Sequence, residues 1–225
     1  NSVSDLDLIL IFDADPNSLS DGFKSLACRQ YFSRLTQAFI TALTAPTAHG
    51  RLYEVDMRLR PSGRAGPVAT SLNGFETYHR TEAWIWEHLA LTRARAITGS
   101  IDFRQKINIL CQDILSKKAD FFTVMSGLRD MRRRLAETKL QRGLWDIKRG
   151  PGGLQDIELF GQGVALVQNC RELTTVAQLY SGQNAVFFMA ADINELARSH
   201  DWLSDLRLLH RLMCGTDNHN ASFGE

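Results

Sequence analysis

Asp5 and Asp7 stand one residue apart at the head of an apolar run, Leu8-Ile9-Leu10-Ile11-Phe12. In an extended strand alternate side chains share a face, so both carboxylates point the same way, about 7 Å apart. The run after them is apolar at every position, as in a central strand covered on both faces. Two acids at the mouth of such a strand are costly unless a positive charge lies between them. A hard divalent cation meets that need, and Mg²⁺ favours one or two carboxylates together with substrate phosphates. An acidic loop that merely precedes a strand would have the same composition, and a second segment bears on the choice.

That segment is Leu52-Tyr53-Glu54-Val55-Asp56-Met57-Arg58-Leu59-Arg60-Pro61. Tyr53, Val55, Met57 and Leu59 fall on one face of a strand, and Glu54, Asp56, Arg58 and Arg60 on the other. Opposite charges along one face can pair with each other or with neighbouring strands. The same set also suits an acid that joins Asp5 and Asp7 at a metal, with arginines gripping phosphate oxygens in bidentate fashion. Pro61 lacks an amide donor and ends the strand.

The elements that must carry these groups are legible in outline. Asp13 to Gly22 is rich in turn residues. Cys28, Phe32, Leu35, Phe39 and Leu43 recur at helical spacing and stop before Pro46. Residues 62–67 read as a flexible loop and 68–71 as a short extended piece. A helix is expected from about 73 to 97, with Trp84, His88, Leu91 and Arg95 on one face and its tryptophans as packing residues. Beyond Gly99-Ser100, a plausible hinge, the pattern is helix after helix: about 102–116, 119–141, 154–170, 185–199 and 201–213.

Lys148-Arg149-Gly150-Pro151-Gly152-Gly153 precedes one of these helices, where free amides and adjacent cations can bind an anion. A tight turn needing glycine for close backbone approach is the other reading. Asp156 and Glu158 then suit the helix dipole, and Arg132-Arg133-Arg134 reads as a solvated face.

Composition narrows the classes. The chain has 225 residues, a net charge of +1 and a pI of about 7.9, so no long-range field calls for nucleic acid or an anionic membrane. No stretch nears the roughly 20 apolar residues of a membrane span, and none reads as a signal peptide. Four widely spaced cysteines lack metal-ligand spacing and read as reduced, cytoplasmic thiols. A core strand that starts almost at residue 1 reads as a piece of a longer chain.

Ser4-Asp5-Leu6-Asp7-Leu8, the block from Tyr53 to Gly63, Glu82-Ala83-Trp84-Ile85-Trp86-Glu87-His88, Ala90 to Arg95 and Asp146 to Glu158 together resemble the glutamine synthetase adenylyltransferase family. These are bifunctional adenylyltransferase/adenylyl-removing enzymes. The resemblance runs from residue 4 to about 168. It implies an α/β nucleotidyltransferase (polymerase-β-like) domain, N-terminally truncated, over residues 1–117. An all-helical domain resembling that of PII uridylyltransferase would follow over 118–225.

Glu54, Ser62 and the paired tryptophans resemble the C-terminal, adenylylating half. The implied function is transfer of AMP from ATP to a tyrosine of glutamine synthetase, regulating nitrogen assimilation. The alternatives are phosphorolytic removal of that AMP, or a non-catalytic docking fragment. Asp5, Asp7 and Asp56 would be the catalytic acids and would hold two Mg²⁺ ions about 3.5–4 Å apart. Ser4, Arg58, Arg60 and Lys148 would meet the nucleotide phosphates, with Glu54, Asp156 and Glu158 in lesser roles. Alternation places Glu54 and Asp56 equally. Asp56 is preferred because the acid at 54 varies between the family's halves. The family's glycine pair before the first strand is not in this chain. The implied partners are glutamine synthetase and, through the full-length enzyme, the PII signalling protein, with no nucleic acid and no membrane.

Overall fold

A computed structural model describes residues 5–48, 50–51, 53–117, 120–138, 146–183, 185–186 and 188–214. Helices dominate, and the strands form a small set of two-stranded pieces. Contacts divide the chain into two units, residues 1–83 and 84–225.

The first unit runs β1 (Leu6–Asp7), β2 (Leu10–Phe12), α1 (Cys28–Thr44), β3 (Pro46–Thr47), β4 (Gly50–Arg51), β5 (Val55–Asp56), β6 (Ala69–Ser71) and α2 (Leu72–Thr81). β1 pairs with β5 and β2 with β6, both in parallel, while β3 and β4 pair antiparallel. Parallel neighbours need a crossover, and α1 lies in the connection between the paired strands. Its helical pattern ends at Ala45, where Pro46 excludes a further helical residue.

Phe12, Cys28 and Ala69 form the buried centre, with the Phe32 ring stacked on Phe12 at 4.2 Å. The expectation of a strand covered on both faces is corrected here. Only Phe12 of the run is buried, and Leu8 to Ile11 are half-buried. Among the described residues each strand has a single partner, so the layer is too narrow to enclose its middle. The long strand expected over 52–61 is also corrected, because β5 stops at Asp56 and the chain turns at Arg58. Ser71 opens α2 by accepting the Gly74 amide at 3.2 Å.

The second unit contains α3 (Ile85–Leu91), α4 (Ile101–Ser116), α5 (Phe121–Thr138), α6 (Leu154–Gln168), α7 (Thr175–Tyr180) and α8 (Ala190–Cys214). The single helix expected over 73–97 is instead α2 and α3. The backbone is extended at Trp84, and the Glu87 carboxylate accepts the Trp84 amide at 2.9 Å, starting a new helix. Trp84 is 61% exposed, so it is not a packing residue. Gly99 takes a positive φ of 111°, and Ser100 caps α4 through the Phe103 amide. α7, absent from the sequence reading, is a short helix capped by Thr174. α8 continues through residue 200, where a break was expected.

Leu89, Val124 and Leu166 close one core, flanked by Ile85, Leu115 and Leu128. Ile157, Leu179, Ile193 and Ala197 close a second. These contacts group α3 and α4 with the later helices, so the packing division at Ala83–Trp84 lies before the 117/118 boundary read from the sequence. Burial pushes the Cys111 thiol up to about 11, which keeps it protonated and unreactive. No helix among the described residues is long and apolar enough to cross a membrane.

Leu89 has no exposed surface, and Leu89→Ala should lower the unfolding free energy by about 3 kcal/mol. Trp84→Ala should change it by less than about 0.5 kcal/mol, as at exposed positions generally. Urea unfolding of the two variants checks the ranking, and an equal loss would place Trp84 in the core after all.

Candidate functional site

The pairing of β1 with β5 sets Leu6 opposite Val55 and Asp7 opposite Asp56. Its ladder includes Leu6 N–H donating to Glu54 O at 2.8 Å and Leu8 N–H donating to Asp56 O at 2.9 Å. Register partners on neighbouring strands project to one face, about 4.8 Å apart at the backbone. Asp7 and Asp56 therefore lie side by side, and Asp5 falls on the same side of its strand by alternation. Asp5, Asp7 and Glu54 are exposed, whereas the Asp56 side chain retains only 14% of its surface. Ser4 lies outside the described residues.

Arg58 answers the charge. Its backbone amide donates to Asp56 Oδ1 at 2.8 Å, closing a turn two residues long. Its Nε donates to Asp56 Oδ2 at 2.6 Å, and a second guanidinium nitrogen contacts the same oxygen. The side-chain hydrogen bond from Arg58 holds the Asp56 carboxyl below the usual carboxylate range, against the opposing effect of burial. Asp56 in turn raises the Arg58 guanidinium further above its ordinary value, with smaller contributions from Asp7 and Asp5. Three acids thus act on one arginine.

Arg60 is placed differently from the reading that set it beside Arg58. It is 8% exposed, and its guanidinium faces backbone carbonyls. Nη1 donates to Met57 O at 2.6 Å, Nε to Pro67 O at 3.1 Å, and Nε and Nη2 both reach Gly66 O at 3.4 Å. The loop it spans turns through Ser62, at φ 59°, and brings Gly66 so close to Pro61 that a Cβ would sit 2.0 Å from its carbonyl oxygen. Arg60 is the staple of that loop.

Lys148, Asp156 and Glu158 belong to the second unit. Asp146 Oδ1 accepts the amides of Lys148 and Arg149, at 3.1 and 2.9 Å, which shapes the turn before α6. A Cβ on Gly153 would meet Ile147 O at 2.6 Å, so close approach explains that glycine. Asp156 Oδ2 accepts the Gly152 amide at 2.9 Å, and Asp156 Oδ1 pairs with Arg132. An internal carboxylate therefore meets an amide that the sequence offered to phosphate. Glu158 lies 3.8 Å from Arg93. The sequence reads Arg132 as part of a solvated face, and the fold sets it against Asp156 instead. No local pattern joins it to Asp156, since the two lie on different helices.

The acids are right in kind for Mg²⁺, being hard oxygen donors. As arranged they do not fit it. Among the described residues no group of three His, Cys, Asp or Glu is positioned to hold a metal ion, and both Asp56 oxygens are engaged by Arg58.

Residues 1–109 match the family model described as glutamate-ammonia ligase adenylyltransferase, and residues 129–223 the one described as PII-uridylyltransferase. Similar curated proteins include a bifunctional glutamine synthetase adenylyltransferase/adenylyl-removing enzyme of Bradyrhizobium diazoefficiens, 50% identical over 73% of this chain and 17% of its own length. The protein of that name in Rhizobium meliloti is 49% identical over 76% of this chain and 18% of its own length. That of Brucella suis is 42% identical over 93% of this chain and 22% of its own length. The chain thus spans about a fifth of the length of these relatives.

Removing the loop staple takes the guanidinium donors from Gly66 O and Pro67 O and leaves Met57 O with the Arg60 amide at 3.3 Å, so Arg60→Met should cost about 2 kcal/mol in urea unfolding. Because the folded Asp56 pKa is depressed, its contribution is present above the ordinary aspartate pKa and is lost as pH falls through the lower folded value. Thermal midpoints measured from pH 6 down to pH 3 should therefore fall less steeply in Asp56→Asn than in the parent. Parallel curves would show that the pair contributes nothing.

Proposed function

Since the chain belongs to the family of bifunctional glutamine synthetase adenylyltransferase/adenylyl-removing enzymes, we propose that it carries a centre that transfers AMP from ATP to a tyrosine of glutamine synthetase. The observation that supports this most is the register pairing of Asp7 with Asp56, which sets two acids from distant segments on one face. Transfer forms one P–O bond from the phenolic oxygen to the α-phosphorus and breaks another to release pyrophosphate. The phenolic proton leaves to solvent or to a carboxylate on that face. Positioning and electrostatics carry such displacements, so no protein nucleophile is required.

Arg58, with a largely exposed side chain, is the arginine suited to meet a phosphate. Arg60 serves by holding the loop that follows. Mg²⁺ is the cofactor proposed, and when bound it would offset phosphate charge. The carboxylates of Asp5, Asp7 and Asp56 could hold it only in an arrangement other than the one described. Residues 1–117 would be the nucleotidyltransferase domain, of polymerase-β-like fold, and 118–225 the helical domain. The two family-model matches support that division. Ser4 and Lys148 stay with this proposal as phosphate contacts. So do a cytoplasmic location and, for the whole enzyme, the PII signalling protein as partner.

The relatives' names carry a second activity, and removal of AMP by phosphorolysis is the reverse assignment for the same centre. ATP labelled at its α-phosphate, with Mg²⁺ and unmodified glutamine synthetase, distinguishes them. Label appearing on the synthetase is expected. Release of label from an adenylylated synthetase on adding phosphate would instead favour removal. Neither reaction, and no heat on titrating ATP with Mg²⁺, would leave a docking fragment. Asp56→Asn should reduce transfer by about a hundredfold or more. The exposed Glu54, changed to Gln, should cost less than about tenfold, and the opposite order would reverse their assignment.

A further inference from the structure

We propose that Arg64 is a phosphate-binding residue of the first unit, carried on a loop whose backbone is already fixed, and that it takes an oxyanion arriving beside Asp56. The proposal rests on the transfer reading in taking that side of the unit as the place where phosphates are handled.

Residues 57–67 hold three arginines, Arg58, Arg60 and Arg64, and no acid. Their backbone is turn upon turn. The Arg60 amide donates to Met57 O at 3.3 Å, the Gly63 amide to Arg60 O at 2.8 Å and the Ala65 amide to Ser62 O at 3.1 Å. The Gly66 amide is shared between Ser62 O and Gly63 O, each at 3.3 Å. With the Arg60 guanidinium bound across the loop as well, the path of the chain through residue 64 is set before any ligand arrives. Arg64 is the middle residue of the 3₁₀ turn Gly63–Ala65. The positive φ of Ser62 and Gly63, 59° and 53°, starts that turn, and a Cβ on Gly63 would lie 3.5 Å from Arg58 O. The turn that carries Arg64 is therefore laid against the backbone of the residue that binds Asp56.

The three arginines differ in what they have left to give. Arg60 is buried and donates to carbonyls. Arg58 places Nε and a second nitrogen on Asp56 Oδ2, so part of its fork is committed. Arg64 is exposed, and among the described residues it makes no hydrogen bond or close ion pair, so its whole guanidinium fork is available. Its charge nevertheless reaches the acid. The hydrogen bond from Arg58 is the main influence lowering the Asp56 carboxyl, and the field of Arg64 adds to it. A phosphate brought to a face that carries carboxylates meets like charge, and an unspent cation on a fixed loop lowers that cost. A guanidinium grips such an oxyanion in bidentate fashion, and a preset backbone leaves only the side chain to be ordered on binding. The ligand class is thus a phosphate or pyrophosphate group.

Calorimetric titration of the full chain with inorganic pyrophosphate, and separately with inorganic phosphate, at low ionic strength tests this. Arg64→Gln should weaken binding by about tenfold, the scale of one charge-assisted hydrogen bond. Arg64→Lys, which keeps the charge but not the fork, should fall between it and the parent. The urea midpoint of Arg64→Gln should match the parent, since the side chain is exposed and makes no internal bond. Loss confined to pyrophosphate would assign Arg64 to the leaving end of a nucleoside triphosphate, and loss with phosphate to the anion consumed in the reverse reaction. Unchanged affinity for both anions in Arg64→Gln overturns the proposal, as does a parent that binds neither. An equal loss in Arg29→Gln, an exposed arginine of α1, also overturns it, because net charge rather than a site would then be responsible. The label-transfer assay reports separately. Transfer by the parent with no Arg64 effect on either anion would sink only this inference, whereas anion binding that depends on Arg64 without transfer would sink only the adenylylation reading.

Discussion

The parallel pairing of β1 with β5 places two carboxylates from segments about fifty residues apart beside each other, and much of the first unit can be understood as managing that placement. Like charges at strand spacing repel, and Asp56 is too enclosed for water to screen it fully. A compensating cation is therefore needed nearby, and Arg58 supplies it from two residues along the same chain. The turn that brings the arginine back is closed by the aspartate's own oxygen. The acid thus ends its strand and recruits its counter-charge in a single local structure.

The two arginines of this segment show how position divides one residue type between tasks. Arg58 stands outward and touches an acid; Arg60 points inward and donates to carbonyls. A buried guanidinium is costly unless its donors are met, and the bend through Ser62, Gly63 and Gly66 brings three carbonyls to meet them. That bend leads on to β6, which pairs with β2. The staple consequently fixes the loop that delivers the chain to that second strand pair.

In the second unit the same economy of charge appears at the start of α6. Glycines let the turn from Asp146 to Gly153 pack closely, and Asp156 reaches back to the Gly152 amide while Arg132 compensates it from α5. Helix N-termini attract anions, and here the protein contributes its own. Within the motif that reads as a cradle for phosphate, the Gly152 amide is met by a carboxylate of the chain itself, and that carboxylate by a guanidinium.

The order and kind of the main elements were legible in the sequence, because α1, α4, α6 and the short β6 follow local rules of periodicity and capping. So was the pairing of acids in principle, since alternation put Asp5 and Asp7 on one side and Asp56 on a polar face. The length of β5, the break at Trp84 and the continuity of α8 were not. Each depends on a contact or a core that no repeat signals, such as Arg60 folding onto Met57 or Glu87 reaching the Trp84 amide. Alternation treats Arg58 and Arg60 as equals, and only the three-dimensional turn separates an exposed partner of Asp56 from a buried staple. By itself the sequence determined which charges the chain carries and which faces they could share, because those follow from residue type and short-range geometry. Which distant charges meet, as Asp7 beside Asp56 or Arg132 on Asp156, was decided by the tertiary structure, because it turns on how separate backbones approach and on what that approach removes from water.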